Sequence, residues 1–585
     1  MKFFLTAILA AGSLSAAVGP RLYYTDIDKG PSAPANGGNG AFITLYGARF
    51  GSVRNTSKIT IGGMEPAMYT SWSDTKIVVR LGSKNTIGKN LPIVVTVAGQ
   101  ASNTDVSFTV DNTNNIFYFD PKKSGTSNDT CTNPANGSEA SPWRYLHTKE
   151  SMRSLSHYVN QCMSDGDIVY VRSGSIDKSD GEGWHSVLTF GLSGKNVKWI
   201  AVVAYPTESV TLSGADMTSP RTRFTVRDKA TASGYIVAGF NIIGSPGDDI
   251  DAGGNVIELT EPGRIIGNHI TGPHSCEYDA IGIGRTSSTN FASGAKIFGN
   301  EITGVATNCH GGKGASKLMH SIYAKCINCE IAWNNIHDNK TYNGVQIHYD
   351  NLVGDGGYYN ISIHDNWIEG QYGSGINLST IDFPTGGEYI RIYNNVLLHE
   401  GAVALAYNEP KGGQIKTCIA LKDSGRPTAS GTVEVYNNTM SDCSGIMNDS
   451  VNGWSTNAGA LFKSGQQPKV KLQIRNNIVA APAYYWTNAA RGSKQLSAYI
   501  ASKTESCCMP QISGADNLWS GDGAPPAATL GFLADPQFSG ADFALKSTSP
   551  AIDAGMFIIG LATDRNGQVR PSGGAVDIGA NEYQH

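Results

Sequence analysis

The sequence predicts an all-β protein: a right-handed parallel β-helix preceded by a small β-sandwich. Three observations carry this reading. A phrase with strand alternation returns seven times, as RIIGNHI ending at Ile270, KIFGNEI at Ile302, EIAWNNI at Ile336, SIHDNWI at Ile368, RIYNNVL at Leu397, VEVYNNTM at Met440 and LQIRNNI at Ile478. Each phrase contributes one Asn to a column read as Asn268, Asn300, Asn335, Asn366, Asn395, Asn438 and Asn477, spaced 29 to 43 residues apart. The composition is rich in turns and poor in charge, with 69 glycines in 585 residues and 16% charged residues, against about 25% charged in an average chain.

A repeated supersecondary unit means a solenoid, and alternation of period two makes the unit a strand. An Asn at the same place in every coil suits a corner, where its amide can bond the copies above and below. The right-handed sense follows from the chirality of parallel crossovers.

The elements follow in chain order. Lys2, the apolar run FFLTAILAAGSL and the small residues Ser15, Ala16 and Ala17 read as an export signal over 1–17. No later run approaches the ~20 apolar residues that span a bilayer. Residues 20–110 carry five short strands, ITLYG at 43–47, KITIGG at 58–63, KIVVRL at 76–81, PIVVTVAG at 92–99 and VSFTV at 106–110. Their number and spacing suit a sandwich. TLYGARFG at 44–51 and NTDVSFTV at 103–110 resemble the immunoglobulin-like IPT/TIG domain, which implies a spacer or binding module. DNTNN at 111–115 reads as a linker, so this unit is expected to fold alone and to be removable.

The β-helix is expected over 117–585. IFYFDPKKSG, SPWRYL at 141–146 and a helix through Tyr158 resemble the N-terminal cap of secreted β-helix proteins. LSGKNVKWIAVVAYPTESVTLSG at 192–214 resembles the first coils of pectate-lyase-like enzymes, and DPQFSGADFALKSTSPAIDAG at 535–555 a closing phrase of the same bacterial secreted group. Export permits disulfides among the ten cysteines. Expected pairs are Cys276–Cys309, Cys131–Cys162 and Cys418–Cys443. The C-x-x-C of Cys326 and Cys329 has no second ligand pair and reads as structural.

A second strand follows each Asn corner. Aligning VIELT at 256–260, AIGIGR at 280–285, HSIYAK at 320–325, GVQIHYD at 344–350, GINLST at 375–380 and AVALAYN at 402–408 gives two outward columns. One reads Glu258, Gly282, Tyr323, Gln346, Asn377, Ala404, and the next Thr260, Gly284, Lys325, His348, Ser379, Ala406. Strands about 4.8 Å apart bring Lys325 beside His348. The candidate catalytic residues are Lys325, His348, Tyr323 and His320. Gln346, Asn377, Asp350, Tyr407 and Arg285 are candidates for holding substrate, and Glu258 and Asp279 for a calcium ion.

These residue types suit β-elimination on a uronate chain. The carboxylate must be neutralised, a base must take the C5 proton, and an acid must protonate the departing O4. A lysine deprotonated beside another cation can be that base. HSIYAK followed by QIHYDN resembles the catalytic strands of alginate and chondroitin-B lyases, polysaccharide lyase family 6. The resemblance implies a base at Lys325. His348 stands where that family has Arg, and His320 where it has a calcium-binding Glu.

The expectation is therefore a secreted bacterial lyase acting as a monomer on an acidic polysaccharide. A net charge of −4 gives no electrostatic ground for a nucleic-acid partner. Two alternatives stay open. A glycoside hydrolase would need two carboxylates about 5–9.5 Å apart, such as Asp350 with Asp382 or Asp279. A glycan-binding adhesin would need no catalysis.

Overall fold

The computed structural model describes residues 19–585 apart from 125–130, 132–135, 148–151, 178–185, 192–198, 216–224, 229–233, 245–254, 260–262, 273–278, 285–291 and 308–318. Also outside the described residues are 349–358, 372, 380–382, 384–387, 401–416, 423–429, 444–445, 450–453, 458–460, 464–468, 481–499, 503–510 and 522–527. Three long sheets, parallel apart from the edge strand Met152–Arg153, run along a single solenoid. Sheet A has fourteen strands, sheet B twelve and sheet C ten. Every coil visits A, then B, then C, as in Lys296–Phe298, Glu301–Thr303 and His320–Ala324. Side chains alternate as a pleated strand requires. Ile265, Ile297, Ile331 and Ile363 of sheet A stack inward with Ile270 and Ile302 of sheet B and Ile281 and Ile322 of sheet C.

The corner between sheets A and B is an amide ladder. Asn268 Nδ2 donates to Asn300 Oδ1 at 3.0 Å and to the Val237 carbonyl at 3.0 Å, while its backbone N–H reaches the same Asn300 oxygen at 3.1 Å. The pattern repeats through Asn334, Asn366, Asn395, Asn438 and Asn477 and ends on Asn517. One member differs from the sequence reading: Asn334, 1% exposed, occupies the ladder, and Asn335 is exposed. In every coil the ladder residue stands two before the next inward apolar residue, and Ile336 therefore selects Asn334. The left-handed backbone lies one residue earlier than the amide, at Gly267, Gly299, Trp333, Asp365, Asn394, Asn437, Asn476 and Asp516.

At the N-terminal end Trp143 stacks on Tyr158 at 4.8 Å, and the helix Leu155–Gln161 buries Leu155, Tyr158 and Val159 over the first coil. The helix runs past Tyr158 to Gln161, and Met152–Arg153 just before it is a strand. Cys131 pairs with Cys162, Cys418 with Cys443, and Cys326 with Cys329. The expected Cys276–Cys309 pair lies outside the described residues. Among the described residues no helix is long and apolar enough to cross a membrane.

The N-terminal sandwich comprises a four-stranded and a five-stranded sheet. All five expected strands are present, together with Arg21–Thr25, Lys29–Gly30, Met68–Trp72 and Gln100–Ala101, which the sequence reading missed. The sandwich lies flat against the outer face of sheet A. Phe42 meets Tyr170 and Tyr205 edge-on at 5.4 and 5.3 Å, and Tyr24 meets Phe298 and Trp333 at 5.3 and 5.1 Å. Phe42 and Tyr170 also exchange hydrogen bonds, and Arg264 donates to the Thr25 carbonyl. A Cβ on Gly299 would fall 1.7 Å from the Tyr24 hydroxyl, so that corner admits only glycine.

The expectation of a removable spacer does not fit this packing. Ile168, Tyr170, Val203, Ile236, Ala238 and Ile266 point away from the solenoid interior and share one core with Tyr24, Phe42 and Leu45 of the sandwich. Strands apolar on both faces, such as IVYV at 168–171 and AVVA at 201–204, are the signal of a sheet covered on both sides. The coils also stop before the C-terminus. The last strand is Gly531–Leu533, and the tail beyond it turns back along the outside. There Asn437 and Asn476 donate to the carbonyls of Asp577 and Met556, and Arg49 of the sandwich donates to those of Asn566 and Gly567.

Candidate functional site

The outward face of sheet C brings most of the candidate residues together. Its register pairs Glu258 with Gly282, Gly282 with Tyr323, Tyr323 with Gln346, and Gln346 with Asn377. This is the column expected from the alternation. Two residues further along each strand, Lys325 and His348 fall on adjacent rungs about 4.8 Å apart. The Tyr323 hydroxyl and His348 Nδ1 share a hydrogen bond of 2.7 Å, and both residues are half-buried. Lys325 is 6% exposed.

Beside this pair lies a row of amides. Asn343 Nδ2 donates to Gln346 Oε1 at 2.6 Å, and Asn377 Nδ2 donates to the same oxygen at 2.8 Å. The Asn377 carbonyl oxygen is buried with no hydrogen-bond partner among the described residues. Two donors converging on one oxygen fix the Gln346 side chain with its NH₂ directed away from them, a rigid polar surface rather than a set of free rotamers.

His320 has a different setting. It belongs to a buried ladder at the start of sheet C that runs Asn255, Asp279, His320, Asn343, Ser374. The Asp279 N–H reaches Asn255 Oδ1 at 3.0 Å, the His320 N–H reaches Asp279 Oδ1 at 2.8 Å, and the Ser374 N–H reaches Asn343 Oδ1 at 3.0 Å. His320 Nδ1 lies 3.4 Å from Asn343 Nδ2, and its ring stacks on Tyr323 at 5.4 Å. It therefore positions Tyr323 from behind. Asn343 was missed in the sequence, although it stands two residues before Val345 as His320 stands two before Ile322.

Of the candidate cation ligands, Asp279 caps the His320 N–H, and Glu258 accepts from Asn255 Nδ2 at 2.9 Å. Gly282 makes room for that contact, since a Cβ there would stand 2.2 Å from Asn255 Nδ2. The Glu258 carboxylate is thus held by Asn255 and the Asp279 carboxylate by the His320 N–H. Among the described residues no three His, Cys, Asp or Glu side chains cluster as a metal site. Asp350, Tyr407 and Arg285 lie outside the described residues, as does Asp382.

One part of the alignment is corrected. The strand that follows Ser374–Ser379 in sheet C is Thr417–Lys422, not AVALAYN at 402–408. Ala420 takes the place assigned to Ala404, and Lys422 pairs with Ser379 in the column of Lys325 and His348. A long insertion precedes this strand, and two apolar alternating segments competed for one rung.

A parallel β-helix with a polar, hydrogen-bonded strip on one outer sheet is the class that fold and site define. Residues 29–110 match the IPT/TIG domain. No curated protein matches the chain. Among solved structures, pectate lyase Pel9A is similar over 80% of this chain and 96% of its own at 13% identity, with a TM-score of 0.45. XylC in complex with xylose is similar over 80% and 98% at 10% identity, with a TM-score of 0.42. The GH136 lacto-N-biosidase from Eubacterium ramulus is similar over 70% and 60% at 13% identity, with a TM-score of 0.36.

Proposed function

We propose that this protein is an exported polysaccharide lyase that cleaves a uronate-containing glycan on the outer face of sheet C. The observation that carries the reading is the Tyr323–His348 hydrogen bond of 2.7 Å one rung from Lys325. β-Elimination needs a base and an acid a few ångströms apart, and this strip offers both. Lys325 takes the C5 proton, the C5 electron pair forms the C4–C5 double bond, and the C4–O4 bond breaks. Tyr323 delivers its proton to O4 and is recharged through His348. Gln346 and Asn377 stand where they can hold the sugar, and the unpartnered Asn377 oxygen is an acceptor for a hydroxyl. The disulfides accord with export to an oxidising compartment.

The test is a panel of alginate, pectate, glucuronan and glycosaminoglycans, read by ultraviolet absorbance of unsaturated uronate ends, with and without a calcium chelator. Unsaturated product that disappears in Lys325→Ala supports the reading. Reducing ends without unsaturation would replace it with a hydrolase, and binding without turnover with an adhesin.

A further inference from the structure

A second feature lies on the opposite side of the coil logic, where the sandwich, sheet A and the C-terminal tail meet. They enclose a cleft of about 860 Å³ that includes no residue of sheet C. Its volume falls in the range of small-ligand sites. Tyr23, Lys29 and Asp105 contribute from the sandwich, Arg264, Trp333 and Asp365 from sheet A and its corner, and Leu561–Asp564 from the tail.

Three lining residues carry a buried polar atom with no hydrogen-bond partner among the described residues: Asp365 Oδ1, Arg264 Nε and Asn394 Oδ1. All three side chains are at least nine-tenths buried, and in each another atom is committed. Asp365 Oδ2 holds His364 Nδ1 at 2.6 Å, Arg264 bonds the Thr25 carbonyl at 2.7 Å, and Asn394 Nδ2 bonds the Thr563 carbonyl at 3.0 Å. The side chains are thus fixed while one polar atom in each goes unused. Buried polar groups are nearly always satisfied, so three exceptions around one cleft call for a polar ligand.

Most charges of the wall are matched, and Lys29, in no ion pair among the described residues, feels the carboxylates of Asp28, Asp111, Asp165 and Asp167. Arg21 pairs with Asp105 at 2.9 Å, Arg264 with Asp28 at 3.5 Å, Lys296 with Glu330, and His364 bridges Glu330 and Asp365. An anionic ligand would have to displace one of these carboxylates, whereas hydroxyl groups can donate to Asp365 and Asn394 without doing so. Trp199, 38% exposed with the Lys29 Nζ 5.9 Å over its ring, adds a partly accessible aromatic surface against which a sugar can pack.

We propose that this cleft binds uncharged saccharide units, through hydroxyl hydrogen bonds to Asp365 and Asn394 and packing on Trp199. It is a glycan-holding site separate from sheet C, and it makes the sandwich and tail parts of a binding surface.

The experiment is calorimetric titration of the full chain with xylo-, manno-, gluco- and galacto-oligosaccharides, and with oligogalacturonate as the acidic comparison. At least one neutral series should bind. Asp365→Asn should weaken that binding by at least ~10-fold, as loss of a hydrogen bond to a charged group does. Asn tolerates the left-handed backbone of position 365, where φ is 55°. Ala562→Trp, at an exposed lining position, should block the cleft without touching the core. Lys325→Ala should bind neutral sugars normally, which separates this site from the lyase reading. Absence of neutral binding, preference for the uronate, binding unchanged in Ala562→Trp, or loss in Lys325→Ala would each overturn the proposal.

Discussion

Lys325, Tyr323 and His348 come from two consecutive rungs, so their spacing is set by the ladder and not by a flexible loop. If Lys325 takes the C5 proton, Lys325→Ala should lower turnover by at least ~10²-fold. Circular dichroism and the melting temperature should stay near wild type. Tyr323→Phe removes only the hydroxyl that bonds His348. It should lower kcat by a similar ~10² while leaving KM within a few fold, because an acid acts in the transition state. Steady-state rates on the cleaved polymer decide both, and near-normal turnover in Lys325→Ala would move the site elsewhere. The main candidates were legible because outward residues in a strand are those between the apolar ones. Asn343 and the true neighbour of Ser379 were not. The first looks like an ordinary polar residue until its ladder is seen, and the second depends on which of two alternating segments returns to the sheet.

At the scale of the element, the corner ladder couples neighbouring coils through amides that have no water to replace them. Asn366, fully buried, bonds Asn334, Asn395 and the Ile331 carbonyl. Asn366→Leu should therefore destabilise by about 1–3 kcal/mol through orphaned polar groups, read as a lower denaturation midpoint. Sheet A adds a pH-dependent contribution. Burial alone would depress His364, yet its hydrogen bonds to Asp365 and Glu330 outweigh burial and raise its pKa from 6.5 to about 9. The folded state thus binds this proton more tightly than the unfolded chain. That stabilisation is complete below about pH 6.5 and is lost as pH rises through about 9. Melting temperature should fall across that window, and His364→Gln should flatten the fall. An equally steep decline in the variant would assign the pH dependence to other groups.

For the whole molecule, the sandwich and the solenoid share a core. A chain beginning at Asn115 would expose Ile168, Tyr170, Val203, Ile236 and Ile266 on one face of sheet A. It should aggregate or melt well below the full chain, and size-exclusion chromatography with thermal melting measures both. A monomeric fragment of unchanged stability would restore the spacer reading. The sequence by itself determined the solenoid, five strands of the sandwich and two disulfide pairs, because alternation, repeats and cysteine placement are local or periodic. Only the tertiary structure decided that Thr417–Lys422 continues sheet C and that the sandwich and tail cover sheet A. These depend on contacts between residues far apart in the chain, across insertions that erase the spacing, and surface burial of that kind leaves no period to read.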